Sequence, residues 1–196
     1  DIRNVTVEEL LINHPFLAEN DNLLLVGCAP CQPFSSQRRS ENEHPAVNLL
    51  DEFGRIVEGI RPAHILIENV PGIEKKGHDV FERFILLLER QNYQYKYGVI
   101  NAKNYGVPQN RRRLILIASR LFTPHIPEAT HGNGLLPHAT VRNKIFNFPA
   151  VEAGQENINV PNHKAAGLSQ LNMDRIAATP HDGGGRVDWP PELQLN

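Results

Sequence analysis

Short apolar runs that alternate with segments of helical periodicity constrain the fold of this chain most strongly. Leu23–Gly27 is such a run, and His64–Ile67 and Leu114–Ala118 are further ones. Apolar residues recur at helical spacing in Leu50–Ile60, before the second run, and in Val80–Leu88, before the third. Continuous apolar runs are typical of strands in a parallel sheet, and the intervening periodicity is typical of helices. The pattern predicts an open α/β sheet in which Leu23–Gly27 is a fully buried parallel strand.

The composition of the chain changes after Ser119. Before it, Tyr93–Val99 alternates aromatic or apolar residues with polar ones, which predicts a strand with one drier face. After it, Pro, Gly, Asn and His become frequent, and we predict one helix near Leu168–Ala177 among loops. We therefore expect two regions, a sheet domain over 1–125 and an irregular region over 126–196.

Length and composition exclude several protein classes. With 196 residues, 40% hydrophobic and 21% charged, the chain is of globular composition and not of disordered composition. Two cysteines exclude a disulfide-dense secreted scaffold. No apolar run is as long as a membrane span, and no signal peptide precedes the first helix-like stretch. We therefore expect no membrane partner and a cytoplasmic location.

Although the net charge of the chain is only −2, basic residues are concentrated in one segment, residues 101–120, which we call the basic island. Residues 101–120 contain five basic side chains and no acidic one, whereas residues 1–100 contain ten basic and fifteen acidic side chains. Such an island is typical of an anion or phosphate site, and equally of a solvated basic turn. A uniformly basic surface for nucleic acid is excluded.

Chemically reactive residues follow two of the predicted strands. Cys28–Ser35 follows the first strand, Glu68–Gly72 follows the second, and Gln109–Arg113 precedes the last. Ligands bind at the carboxyl ends of parallel strands, so neighbouring strands would place a cysteine and a carboxylate at one cleft. A thiolate is a nucleophile, a carboxyl group can move a proton, and guanidinium groups bind carbonyls or phosphates.

Each of these segments also has a simpler interpretation. Cys28 and Cys31 form a Cys-x-x-Cys pair that could be redox-active, and this alternative stays open. Half a zinc site is disfavoured because no histidine pair lies near the cysteines, so no metal is predicted. The arginine run could be a solvated edge, and Ser35 could be a helix cap.

Three motifs, taken together and in this order, resemble the cytosine-C5 DNA methyltransferase family. Pro30-Cys31-Gln32 followed by Phe34-Ser35 is similar to the family's nucleophile motif, and Glu68-Asn69-Val70 is similar to its Glu-Asn-Val motif. Gln109-x-Arg111-x-Arg113 is similar to its Gln-x-Arg-x-Arg motif, and Asp1-Ile2 to the end of a cofactor motif. The resemblance covers residues 1–120 strongly and 138–196 weakly.

The resemblance implies a Rossmann-like, S-adenosylmethionine-dependent methyltransferase sheet that is partial, followed by part of a target-recognition domain. It implies methylation of carbon 5 of cytosine in double-stranded DNA, through a covalent adduct on a flipped base. The enzyme type implied is a bacterial restriction-modification or orphan methylase. The catalytic residues implied are Cys31, Glu68, Arg111 and Arg113. The implied cofactor contacts are Asp1, Pro30 and Leu49, and the implied substrate contacts are Gln32, Ser35, Asn69, Val70 and Gln109.

One glycine-rich motif of the family is not found in the sequence of this chain. The family's Phe-x-Gly-x-Gly loop, which holds the methionine part of the cofactor, is not among its residues. The cluster Gly183–Gly185 has the surroundings of a turn. We therefore expect an internal fragment of a longer enzyme, or half of a split methyltransferase with a second chain. A non-catalytic DNA-binding fragment and an RNA cytosine-C5 methyltransferase are the alternatives.

Overall fold

The structure, a computed structural model, describes residues 1–28, 48–181 and 183–195. The chain divides into two compact units, Asp1–Asn143 and Lys144–Asn196. The predicted assignment of 126–196 to target recognition is not tested by this division and stays a prediction. Within the described ranges, no helix is long and apolar enough to cross a membrane.

The first unit contains the helices and strands that the apolar pattern predicts. The predicted helices are present, and the three apolar runs and the alternating segment are strands. The helices are α1 (Val7–Asn13), α2 (Leu49–Ile60), α3 (Ile73–Lys76) and α4 (His78–Arg90), and the strands are β1 (Leu24–Gly27), β2 (His64–Asn69), β3 (Gln94–Asn101) and β4 (Arg112–Ser119).

The four strands form one mixed sheet in the order β1-β2-β4-β3. β1 and β2 are parallel, with Gly27 opposite Ile67, so their carboxyl ends lie at the same edge. β4 is antiparallel to both of its neighbours. The start of β4 therefore lies at the same edge as the ends of β1 and β2, and we call this edge the carboxyl edge.

The core lies on one face of the sheet, beneath α2 and α4. Alternate side chains of β2 and β4 point into it, since successive residues of a strand face opposite sides. Helix α2 ends where Arg61 adopts the left-handed conformation, with φ of 44°, before Pro62. The largest fully buried side chains include Phe84, Leu50, Ile60, Ile65, Ile67, Ile73, Leu88, Leu114 and Leu116.

The prediction that β1 is fully buried is wrong. Leu25 packs against the core, but Leu24 and Val26 on the other face are 52% and 53% exposed. Among the strands that the structure describes, β1 pairs with β2 alone and is an edge strand. The apolar run makes both faces of β1 apolar, although packing in this unit covers one of them.

The second unit contains the predicted helix, observed as α6 (Gln170–Ala178), after the short α5 (Val141–Ile145) at the division of the units. Ser169 caps α6 by accepting the N–H of Asn172. Trp189 Nε1 donates to Thr179 Oγ1 at 2.8 Å, and the Arg175 guanidinium lies 5.4 Å from the Trp189 ring centroid. These contacts hold α6 against the residues that follow it.

Candidate active site

Strand β2 ends at the carboxyl edge with a carboxylate on one face and an amide on the other. Glu68 belongs to the half-exposed face, whereas Asn69 is buried on the core face. Asn69 Oδ1 accepts the backbone N–H of Val70 at 2.8 Å, which fixes the turn that leaves the strand. The alternation of β2 therefore places Glu68 on the more exposed face of the sheet and Asn69 on the core face.

Two arginines bind the same oxygen of Glu68. Arg113 Nε donates to Glu68 Oε1 at 2.8 Å, and Arg111 Nη2 donates to it at 3.2 Å. Arg113 also donates from Nη1 to the carbonyl of Arg112 at 2.8 Å. Both guanidiniums neutralise the carboxylate and orient it by charge-assisted hydrogen bonds. Among the described residues, none donates a hydrogen bond to Oε2 of Glu68.

The antiparallel direction of β4 explains why these arginines meet Glu68. Glu68 pairs with Ile115, two residues along from Arg113 and on the same face of the sheet. Arg112 lies between the two arginines and, by alternation, on the core face. A parallel β4 would have placed its start at the far edge of the sheet.

The connection from β3 to β4 carries Gln109 and Arg111 and is closed by its own hydrogen bonds. Ala102 N donates to Arg111 O at 2.9 Å, and Arg111 N donates to Gln109 O at 3.0 Å. Gly106 has φ of 80°, and a Cβ on it would lie 2.8 Å from the His131 ring, so both backbone and space require glycine. Gln109 is exposed and lies two residues before Arg111.

The end of β1 lies beside Glu68. The register of β1 with β2 places Cys28 level with Glu68, and Cys28 is exposed. This confirms that the first two strands are neighbours whose carboxyl ends lie at the same edge of the sheet. The predicted residues Pro30, Cys31, Gln32 and Ser35 fall within 29–47, outside the described residues.

The predicted adenine contacts lie at the start of the chain and of α2. The Asp1 carboxylate is bound by its neighbour Arg3, through Nε at 3.0 Å and Nη2 at 2.5 Å. Arg55 of α2 donates to the carbonyls of Ile2 and Val5 at 3.0 and 2.9 Å, which ties this segment to α2. Leu49, the first residue of α2, is half-buried. The roles of Asp1 and Leu49 stay predictions.

The basic island divides between opposite edges of the sheet. Arg111 and Arg113 are at the carboxyl edge with Glu68. Arg120 is at the other edge, where it binds Asp21 at 2.5 Å and the carbonyl of Glu19 at 2.8 Å. The island is therefore not one anion site, because three of its five cations are already paired with carboxylates.

Sequence reasoning missed a pair of residues beside the arginines. Asn101 Nδ2, at the end of β3, donates to Asn110 Oδ1 at 2.7 Å. The only sequence signal is positional, since both asparagines flank the connection that carries Gln109 and Arg111.

Known proteins are similar to this chain both in sequence and in structure. The family model of the C-5 cytosine-specific DNA methylases matches residues 1–167. The Type II methylase M.HgiDII of Herpetosiphon aurantiacus is 35% identical over 89% of this chain and 49% of its own length. The Type II methyltransferase M.SacI of Streptomyces achromogenes is 32% identical over 79% of this chain and 44% of its own. The chain thus spans about half the length of these curated relatives.

Solved structures support the fold. The methyltransferase EhMeth of Entamoeba histolytica aligns with a TM-score of 0.52 at 20% identity, over 68% of this chain and 41% of its own. A prophage-encoded protein of E. coli, described as a DNA modification methyltransferase, aligns with a TM-score of 0.56 at 21% identity. The alignment covers 80% of this chain and 43% of that protein. The predicted fold class, a partial Rossmann-like methyltransferase sheet, is confirmed.

Proposed function

This chain belongs to the family of C-5 cytosine-specific DNA methylases, and we propose that it carries the cytosine-binding side of a methyltransferase acting on carbon 5 of cytosine in duplex DNA. The observation that carries the proposal is the carboxylate of Glu68, held on one oxygen by Arg111 and Arg113 at the carboxyl edge. We further propose a restriction-modification role, since the relatives above are named Type II methylases.

The reaction begins with a nucleophile that makes carbon 5 reactive. Cytosine C5 is a weak nucleophile, and addition of the Cys31 thiolate to C6 makes it enamine-like. C5 takes up the methyl group, a base removes the C5 proton, and elimination releases the thiolate of Cys31. The base must leave the DNA stack to reach these groups. The role of Cys31 rests on the resemblance of its Pro-Cys-Gln motif.

Glu68 supports the charge that develops on the ring. Its Oε2, to which no described residue donates, is suited to accept a hydrogen bond from the exocyclic amine of cytosine and from N3 once N3 is protonated in the adduct, while Oε1 stays bound to the two guanidiniums. Arg113 is held at both ends, by Glu68 and by the Arg112 carbonyl, so it is the more fixed of the two. Such preorganised groups stabilise a transition state without reorganising during the reaction.

The described residues fit one end of S-adenosylmethionine, which supplies the electrophilic methyl group when bound. Asp1 has an exposed carboxylate, Leu49 offers an apolar surface at the start of α2, and Arg55 of the same helix anchors the segment that follows Asp1. A carboxylate and an apolar contact suit the amino group and face of an adenine. The groups for the ribose and the methionine tail are proposed to come from further residues or from a second chain.

The open edge of β1 supports that part of the proposal. Leu24 and Val26 of β1 expose apolar side chains on the outer face of this strand. Exposed apolar strands at a sheet edge are sites for pairing with another strand. We propose that β1 pairs with the segment that completes the cofactor site.

Methyl transfer to unmethylated genomic DNA tests the proposal. The protein as its gene encodes it, with labelled S-adenosylmethionine, should produce 5-methylcytosine. Glu68→Gln should abolish most of this product, whereas Glu74→Gln, in the adjacent helix α3, should not. Product at cytosine N4 or adenine N6, or equal losses from both variants, would contradict the proposal.

A further inference from the structure

We infer that Asn101 and Asn110 form a clamp that positions Arg111 against Glu68. The inference deepens the proposed function and rests on it, since it assigns positioning residues to the same site. Its basis is the side-chain hydrogen bond of 2.7 Å from Asn101 Nδ2 to Asn110 Oδ1, across the two ends of the β3–β4 connection.

The orientation of the Asn101 amide is set by a second contact. Asn101 Oδ1 accepts the backbone N–H of Lys103 at 3.4 Å and caps the 3-10 turn Ala102–Tyr105. Because the oxygen is used there, the amide nitrogen is the atom directed at Asn110. Asn101 itself is fixed by the ladder, in which it pairs with Arg112. The clamp therefore joins a rigid residue of the sheet to an exposed residue of the connection.

Arg111 needs such a support more than Arg113 does. Arg113 lies within β4, paired with Ile100, and its side chain is 23% exposed. Arg111 precedes β4, its side chain is 46% exposed, and its hydrogen bond with Glu68 is the longer one, at 3.2 Å. A mobile arginine near the surface loses more side-chain entropy when it binds.

Asn110 is positioned to restrict the conformation of Arg111. It is the residue directly before Arg111, so fixing its side chain to β3 fixes the direction in which the backbone enters Arg111. The backbone hydrogen bond from Ala102 N to Arg111 O holds the other side of the same residue. Loss of the clamp should therefore displace Arg111 from Glu68 and leave Arg113 in place.

Two variants of Asn110 separate positioning from a merely structural role. Asn110→Ala removes the acceptor, whereas Asn110→Asp is of the same size and keeps one. We expect Asn110→Ala to lower kcat for methyl transfer to unmethylated genomic DNA about tenfold, with a smaller change in KM for DNA. Asn110→Asp should restore most of the lost rate. In an Arg111→Ala background, Asn110→Ala should add no further loss, because the clamp acts through Arg111.

Crystal structures of wild-type protein and Asn110→Ala give a readout that does not need activity. In the variant, Arg111 should lie beyond hydrogen-bond distance of Glu68, while Arg113 keeps its contact. Three results would overturn the clamp. Arg111 could keep its position in the Asn110→Ala structure, or Asn110→Asp could be as slow as Asn110→Ala. Alternatively, Asn110→Ala could lower kcat in the Arg111→Ala background as much as it does in the wild type. Displacement of Arg111 in the Asn110→Ala variant, together with a wild-type protein that makes no 5-methylcytosine, would instead uphold the clamp and overturn the proposed function.

Discussion

At the scale of single residues, the two arginines on Glu68 are not equivalent. Arg113 binds Glu68 through Nε and the Arg112 carbonyl through Nη1, so it uses two edges of its planar fork at once. A lysine has one ammonium on a flexible stem and cannot reproduce that arrangement. Arg111 is more exposed and contributes one longer hydrogen bond. Orientation of the carboxylate is therefore expected to depend mainly on Arg113.

Lysine substitutions at the three consecutive arginines should lower kcat for methyl transfer to different extents. We expect Arg113→Lys to lower kcat for methyl transfer about a hundredfold and Arg111→Lys by less than about tenfold. Arg112→Lys is the matched control, since Arg112 belongs to the other face of β4, and its kcat should stay close to that of the wild type. Steady-state rates of 5-methylcytosine formation measure this order, and an Arg112→Lys defect as large as that of Arg113→Lys would contradict it.

Tyr93 provides a residue-scale test of the packing at the edge opposite the site. Its hydroxyl donates to the carbonyl of Pro62. Burial raises the pKa of Tyr93 to about 12, although Arg120 and Arg61 nearby favour the phenolate. In the unfolded chain a tyrosine has a pKa of about 10. The phenol is therefore retained in the folded state at a pH where the unfolded chain ionises.

The free energy of unfolding should consequently depend on pH in the alkaline range. The contribution of Tyr93 is fully present below about pH 10 and is lost as the pH rises to about 12. Urea titrations across this range should show the decline, and Tyr93→Phe should remove most of it. Tyr95→Phe should remove less: the hydrogen bond to Glu89 raises the pKa of Tyr95, but the group lies close to solvent. The reverse order would contradict burial as the cause.

At the scale of elements, the sequence predicts which segments are strands but not the direction of β4. A continuous apolar run such as Leu114–Ala118 looks the same in a parallel or an antiparallel strand, because both of its faces are apolar. The connection from Asn101 to Arg112 was a usable signal, since ten residues are too few for a parallel crossover. The meeting of Glu68 with Arg113 follows from that direction and could not be derived from spacing alone.

Contacts between elements require glycine where β1 meets α2. A Cβ on Gly27 would lie 2.7 Å from Cε2 and 2.8 Å from Cζ of the Phe53 ring. We expect Gly27→Ala to lower the free energy of unfolding by about 1–3 kcal/mol, because the ring or the strand must shift. Since Gly27 directly precedes Cys28, the shift should also lower the rate of methyl transfer.

Two further variants make the Gly27 prediction specific. Gly167→Ala adds a Cβ in open space and should leave the free energy of unfolding within about 0.5 kcal/mol of wild type. Phe53→Leu combined with Gly27→Ala should recover part of the loss by removing the opposing ring atoms. Urea unfolding measures all three, and a Gly27→Ala protein as stable as the wild type would show that β1 does not depend on this contact.

At the scale of the whole molecule, the outer face of β1 is where the apolar pattern of the sequence and the packing of this unit disagree. Leu24 and Val26 are as apolar as core residues, so the pattern predicts burial, yet packing within this unit leaves them half exposed. The chain also spans about half the length of its curated relatives. Both observations support the proposal that another segment covers β1.

The 196-residue chain by itself should associate through this edge. Val26→Lys should reduce the association measured by sedimentation velocity over a concentration series, because a charged side chain at a strand edge opposes pairing. Leu86→Lys is the matched control, since Leu86 is similarly exposed, at 51%, but lies on α4. Equal reduction by both substitutions would indicate general hydrophobic association in place of pairing at β1.

The most direct test of the central claim is a covalent trap with duplex DNA that contains 5-fluorocytosine at the methylated position. Fluorine cannot leave as a proton does, so elimination stops and the nucleophile stays bound to C6 of the base. With S-adenosylmethionine present, the protein should form a denaturation-resistant adduct, and peptide mapping should place it on Cys31. An adduct on Cys28, or methylation of ordinary cytosine without any adduct on the fluorinated base, would contradict carbon-5 methylation through Cys31.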